Sequence, residues 1–406
     1  MKKFYLTIVL ILACFTVWGQ APHLFEHTYP VIQEEDTRIR NLMDLVSADS
    51  LTATIEHLQS YHTRRWDSRL VYEVQDWLQD TYTGMGLDTV LLHDFPVILH
   101  DTLYETSDNV IAIQRGSVYP DEYVVCGAHY DSYNYDSGHP DSLRAPGADD
   151  NASGSAGILE MARLLSKCKF ERSILYCGWA AEEIGLIGSA AFAKDCASNM
   201  LDIVGYFNLD MIGYLKEGSD IHVHLMYTTQ DSTIANYVYN FSHIYYPEMP
   251  ISQNWLSWGD SDYSSFNRNG YAAVHTFEDV HNSSPFIHTP NDILGVSVNN
   301  MDQAKRFTEL NLGLVATLAG LIDTSVDDAI TESLAVYPNP VSGTLHVKGV
   351  PMKEVTICNL MGQQVISHAV VGEECGIDVG SLVPGIYFVL VLSEDGKLFT
   401  EKFVKE

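Results

Sequence analysis

The run Tyr123-Val-Val-Cys-Gly-Ala-His129-Tyr-Asp131 decides how this chain folds. Its first half is a short apolar, β-branched stretch, the mark of a buried strand. Its end carries an imidazole and a carboxylate two residues apart. Side chains two apart on a strand point to the same face, so His129 and Asp131 can touch. A metal-bound histidine usually gives its other ring N–H to a carboxylate, which fixes the tautomer.

Similar strand-like runs stand at Val110–Ile113, Ser173–Tyr176 and Ile203–Phe207. Helix-like runs separate them at Ala156–Leu165 and Ala190–Asp195, and a long amphipathic helix is expected over Gln303–Leu321. Before them, Thr37 to Leu87 repeats apolar residues at spacings of three and four until Gly84-Met-Gly86. Strands alternating with helices predict an α/β fold with a mostly parallel central sheet flanked by helices.

The ends of these strands collect metal-ligand residue types. Gly147-Ala-Asp149-Asp150-Asn151-Ala-Ser-Gly154 precedes a helix, and Glu182-Glu183-Ile-Gly-Leu-Ile-Gly188 follows the third strand. Asn208-Leu-Asp210-Met ends the fourth, and His288-Thr-Pro-Asn-Asp292 lies before the last helix. Singly, each has a plain reading. An H-x-D pair is usually a surface contact, an Asp pair a helix cap, and a Glu pair a solvated helix start. Jointly, five elements fall in one order, most of them at the carboxyl edge where open α/β sheets place their sites. The set offers two imidazoles and three carboxylates as ligands, with one carboxylate over. Oxygen and imidazole without thiolate suit catalytic zinc. A carboxylate bridging two metals lets them share a nucleophilic water. The spare glutamate can then move that water's proton to the leaving amine.

These motifs resemble the co-catalytic di-zinc aminopeptidase family, which includes secreted bacterial leucyl aminopeptidases, glutamate carboxypeptidase and glutaminyl cyclase. The resemblance runs from about residue 35 to residue 322. It implies that His129, Asp149 and Asp210 hold one zinc and that Asp149, Glu183 and His288 hold the other. It also implies that Asp149 bridges, that Glu182 is the general acid/base and that Asp131 orients His129. A cis peptide between Asp149 and Asp150 is implied as well. One departure concerns transition-state stabilisation. The family often places a tyrosine just upstream of Ser261-Asp-Tyr263, where this chain has Trp258. Tyr263 and Tyr227 are possible substitutes as substrate contacts, and Trp258 can equally be pocket wall or core.

Composition sets the outer limits. The chain has 406 residues, 23 Lys plus Arg against 53 Asp plus Glu, and a net charge of −30. So acidic a chain has no general attraction for nucleic acid or anionic lipid. Lys2-Lys3 followed by the apolar run Phe4–Val17 reads as a secretory signal over residues 1–20. No later segment reaches the length of a membrane span. Six cysteines follow the signal, with no C-x-x-C pair, so a thiolate zinc site is not expected. Cys168 with Cys196, or Cys358 with Cys375, are pairs that an oxidising compartment could join.

Residues 21–322 form the expected catalytic domain, 323–333 a polar linker, and 334–406 a small all-β sandwich of alternating runs. The tail resembles the C-terminal sorting domain of type IX secretion, on Tyr337-Pro-Asn-Pro340, Asn359-Leu-Met-Gly-Gln363, Leu382-Val-Pro-Gly-Ile-Tyr387 and Lys402-Phe-Val-Lys405. The expected partners are peptide or protein amino termini and the type IX secretion machinery. The expected location is outside the cell or on its surface. The reading favoured is a zinc aminopeptidase with two ions. A glutaminyl-cyclase-like acyltransferase is the alternative within the family, and a non-enzymatic binding protein on the same scaffold the alternative outside it. The filled ligand set favours the peptidase.

Overall fold

The computed structural model describes residues 22–100, 102–255, 260–324, 334–359, 364–393 and 398–406. The signal reading over residues 1–20 and most of the linker lie outside these. The chain divides into two compact units, with the boundary after Thr324.

The first unit opens with helices α1 (Thr37–Asp44), α2 (Ala48–Ser60) and α3 (Leu70–Gly84). Strands β1 (Thr89–Leu99), β2 (Thr102–Gln114) and β3 (Tyr119–His129) follow, then helix α4 (Gly154–Leu165) and strands β4 (Cys168–Phe170) and β5 (Arg172–Trp179). Next come α5 (Ile187–Ser198), β6 (Asp202–Leu209), β7 (Val223–Tyr227), α6 (Ser232–Tyr245) and β8 (Ile251–Trp255). The unit closes with α7 (Tyr263–Arg268), β9 (Ala273–Phe277), α8 (Met301–Leu318) and β10 (Leu321–Thr324).

Eight strands form one sheet in the order β1-β2-β5-β3-β6-β9-β7-β8. The centre, β5-β3-β6-β9, is parallel. On the flanks β1, β2 and β5 pair antiparallel, as do β9 and β7, while the edge strand β8 pairs parallel with β7. The sheet is therefore mixed around a parallel heart. Strands β5 and β6 are buried along nearly their whole length, as strands covered on both faces must be. Alternation sends Leu175, Cys177 and Trp179 of β5 into a core with Phe192 and Ala193 of α5 and Tyr263 and Phe266 of α7. Helices α4 and α8 pack on each other and on β3.

Asp323 and Thr324, read from sequence as the start of the linker, belong to β10, which pairs with β4. The second unit is a five-stranded sheet of β11 (Ala335–Tyr337), β12 (Thr344–Asn359), β13 (Gln364–Asp378), β14 (Gly385–Ser393) and β15 (Leu398–Lys405). Its core takes alternate residues: Leu345 and Val347, Val355 and Ile357, Val389 and Val391. The small all-β tail is as expected. The six described cysteines are free thiols, so neither of the two pairs that an oxidising compartment could join is bridged.

Candidate metal centre

Four parallel strands bring their carboxyl ends to one edge. His129 ends β3, Glu182 and Glu183 follow β5, Asp210 follows β6, and Glu278 follows β9. His129 is buried at 1% exposure and Asp131 at 0%. His129 Nδ1 faces Asp131, at 3.2 Å from its main-chain oxygen and 3.4 Å from Oδ1. The Asp131 carboxylate does a second job. It accepts from the backbone N–H of Glu182 (3.1 Å) and of Glu183 (3.3 Å), so one residue aligns both the histidine and the glutamate pair.

The acidic turn is held from two sides. Asp292 accepts from the N–H groups of Asp149 (2.8 Å) and Asp150 (3.1 Å). The buried Arg64 donates to the carbonyls of Tyr130, Leu58, Pro146 and Gly147. Inside the turn, Asp150 (φ −109°, ψ 89°) and Asn151 (φ −137°, ψ 49°) leave the helical region. Consecutive side chains therefore diverge.

That divergence corrects the sequence reading of Asp149. Asp150, not Asp149, faces the two histidines: its Oδ1 lies 3.2 Å from His129 Nε2 and its Oδ2 3.0 Å from His288 Nε2. Asp149 turns away, and its Oδ1 accepts from the Gly213 N–H at 2.9 Å. The non-proline cis bond likewise joins Asp150 to Asn151, one residue later than expected.

The other members complete the cluster. Asp210 Oδ1 lies 3.4 Å from His129 Nε2, and Glu183 Oε2 lies 2.7 Å from His288 Nε2. Glu182 Oε2 stands farther off, 4.0 Å from His129 Nε2. A chain of hydrogen bonds holds Asp210. Trp179 Nε1 donates to Tyr206 OH, Tyr206 OH to Asn208 Oδ1, Asn208 Nδ2 to Ser261 Oγ, and Ser261 Oγ to Asp210 Oδ2. Ala181, Met211 and His288 all have positive φ, and each is a ligand-type residue or the chain neighbour of one. Such backbone conformations concentrate at functional sites.

Burial dominates the electrostatics. It pushes the Glu182 carboxyl well above its ordinary range and that of Glu183 up to about 8. Burial also disfavours charge on His288, but Asp150 and Glu183 outweigh it and raise the imidazole to about 12. The same two histidines overcome burial at Asp150 and hold it low. The side chains thus share protons that a cation would replace. Glu183 Oε1 and Asp210 Oδ1 are buried with no hydrogen-bond partner, a condition in which native proteins rarely leave polar groups. Donor atoms of His129, Asp150 and Glu183 lie within 4.8 Å of one another, as do those of His129, Glu182 and Asp210. Oxygen and imidazole donors in this arrangement fit zinc.

Three further residues were expected near substrate. Trp258 lies outside the described residues. Tyr263 is fully buried in the core, its hydroxyl donating to Asp260 Oδ1 at 3.1 Å, so it cannot touch a substrate. Tyr227 gives its hydroxyl to Gln253 Oε1 and makes no hydrogen bond to the cluster. Instead the rings of Tyr133 and Tyr135 stand edge-on to His288, at centroid distances of 5.5 and 4.7 Å. Tyr135 is 73% exposed. Neither ring was picked out from sequence, nor was Arg64.

Residues 109–314, half of the chain, match the sequence profile of Peptidase family M28. The chain belongs to peptidase family M28. It is similar to leucine aminopeptidase 1 of Trichophyton equinum, 27% identical over 301 residues, which cover 72% of this chain and 79% of that protein. The fold is shared with the LapA aminopeptidase of Legionella pneumophila, at TM-score 0.61 and 23% identity over 73% of this chain and 78% of that one. It is also shared with glutaminyl cyclase of Bacteroides thetaiotaomicron, at TM-score 0.52 and 19% identity over 68% and 97%. This M28 chain is a metallo-aminopeptidase, and the oxygen and imidazole donors of its cluster fit zinc. Residues 335–406 match the secretion system C-terminal sorting domain, which directs the protein to type IX secretion. No helix among the described residues is long and apolar enough to cross a membrane.

Proposed function

We propose that two zinc ions share the cluster and that Asp150 is their common ligand. One ion takes His129, Asp150 and Asp210, the other Asp150, Glu183 and His288. The observation that carries this reading is the placement of the two Asp150 oxygens, one against each histidine. Zinc bound there polarises the scissile carbonyl and makes water nucleophilic near neutral pH.

The chain's own groups do the rest. Glu182 Oε2 takes a proton from the attacking water. After the C–N bond breaks, it delivers that proton to the leaving amine. Burial raises the Glu182 carboxyl toward the range in which one group can both accept and return a proton. Asp131 holds His129 through Nδ1 and fixes the backbone on which Glu182 sits. The substrates are peptide or protein amino termini, and leucyl compounds are the first to offer, given what the relatives are named for. Export begins with the signal over residues 1–20 and finishes through the type IX machinery.

Zinc counting on two neighbouring variants tests the assignment. D150N should lose zinc and at least about 100-fold in turnover, because a neutral amide bridges two cations poorly. D149N should keep its zinc, since the asparagine oxygen can still accept from Gly213. The reverse pattern would return the bridge to Asp149. A chain that cyclises glutaminyl peptides but leaves aminoacyl anilides intact would be an acyltransferase.

A further inference from the structure

Outside the catalytic cluster, two short stretches mirror each other: His222-Val-His224 and Asp279-Val-His281. Strand β7 pairs antiparallel with β9, and His224 stands opposite Phe277. The chain leaving β9 therefore runs back past the start of β7. His224 is the centre of the group. Its ring lies 4.3 Å from that of His222 and 6.0 Å from that of His281, and its Nε2 lies 3.5 Å from Asp279 Oδ1. His224 is buried at 4% exposure, and its Nε2 has no hydrogen-bond partner. The Asp279 carboxylate is already fixed, accepting from His281 N (2.9 Å) and Asn282 Nδ2 (2.7 Å).

We propose that His222, His224, Asp279 and His281 form a second metal site, separate from the catalytic cluster, for zinc or a similar divalent transition metal. Three imidazoles and one carboxylate make a four-donor set of the kind that tetrahedral zinc accepts. The protonation states suit it. Burial lowers the His222 and His224 imidazoles, so both are neutral ligands near neutral pH. Asp279 is held ionised against its burial by Asn282, His281 and His224. Little proton displacement then opposes binding.

Closure needs two side chains to turn. His222 Nε2 now meets Ser252 Oγ at 2.8 Å, and His281 is exposed. A cation on His224 Nε2 places the ring proton on Nδ1, which lies 3.2 Å from Asn254 Nδ2. A turned-over Asn254 carboxamide would accept that proton through its oxygen, the usual outer partner of a metal-bound histidine. The bound ion would tie β7 to the segment that leads from Asp279 to the catalytic His288.

The test is a difference in zinc content. The full chain and its H222A/H281A variant are dialysed against the same low free zinc and counted by mass spectrometry. The variant should hold one ion fewer per chain, and the rise in thermal midpoint that zinc produces should shrink with it. D279N, with one atom exchanged, gives the same comparison if the double variant does not fold. Equal zinc content in the wild type and a folded variant overturns the site. Only the difference between chains is read, so the result stands whatever number of ions the catalytic cluster holds.

Discussion

Arg64 shows how one side chain can support a site without touching its chemistry. It is fully buried, yet its guanidinium meets carbonyls from α2, from the residue after β3 and from the turn before Asp149. Burial lowers its pKa to about 10, and Asp292, Asp131, Asp150 and Glu183 oppose that drop, so it stays charged at neutral pH. R64M would leave those carbonyls buried and unpaired. It should cost at least about 3 kcal/mol, read as a shift in the urea midpoint, and a loss under about 1 kcal/mol would contradict the role. Arg64 was not legible in the sequence because its partners are main-chain carbonyls, which carry no residue type. The members of the cluster were legible, since His129, Glu183, Asp210 and His288 each sit in a motif at a strand end or before a helix. The choice between Asp149 and Asp150 was not, because two adjacent aspartates differ only in backbone dihedrals.

At the scale of elements, the segment before α1 works as a strap across the first unit. Leu24 N–H bonds Gly270 O, Tyr29 OH bonds Val204 O, and Ile32 exchanges hydrogen bonds with Asn240. His23 Nε2 pairs with Asp231 at 3.1 Å, and that hydrogen bond raises the His23 pKa against its burial. A raised histidine contributes stability that is fully present below its unfolded pKa of about 6.5 and is lost as pH rises through the folded value. H23Q should therefore cost more stability near pH 5.5 than near pH 9, by roughly 1 kcal/mol, since His23 is only partly buried while Asp231 is fully so. Equal denaturant midpoint shifts at both pH values would dismiss the pair. Sequence found three of the four central strands because β3, β5 and β6 are buried apolar runs, and missed β9, where His275 and Thr276 interrupt the run. It missed β7 and β8 because His224, Gln253 and Asn254 interrupt their apolar pattern toward the sheet edge. It places β-type runs from Thr89 onward without singling out β1, an edge strand that contains Pro96.

For the whole molecule, the division after Thr324 separates tasks. Every residue of the proposed catalytic cluster lies in the first unit, and the sorting domain occupies 335–406. A chain ending at Thr324 should keep its zinc and turn over aminoacyl anilides within about twofold of the full chain, while failing to be exported by the type IX route. A loss of turnover in a folded, zinc-loaded truncation would mean the tail contributes to catalysis. In the proposed reaction Glu182 moves the proton while the other side chains hold the metal. Leucyl-anilide turnover by E182Q, with its zinc counted in the same sample, separates the two roles. Glutamine keeps the size and removes the basicity, so zinc should stay at the wild-type level while kcat falls at least about 100-fold and KM changes little. An E182Q enzyme that retains more than about a tenth of wild-type kcat with its zinc in place would contradict the account.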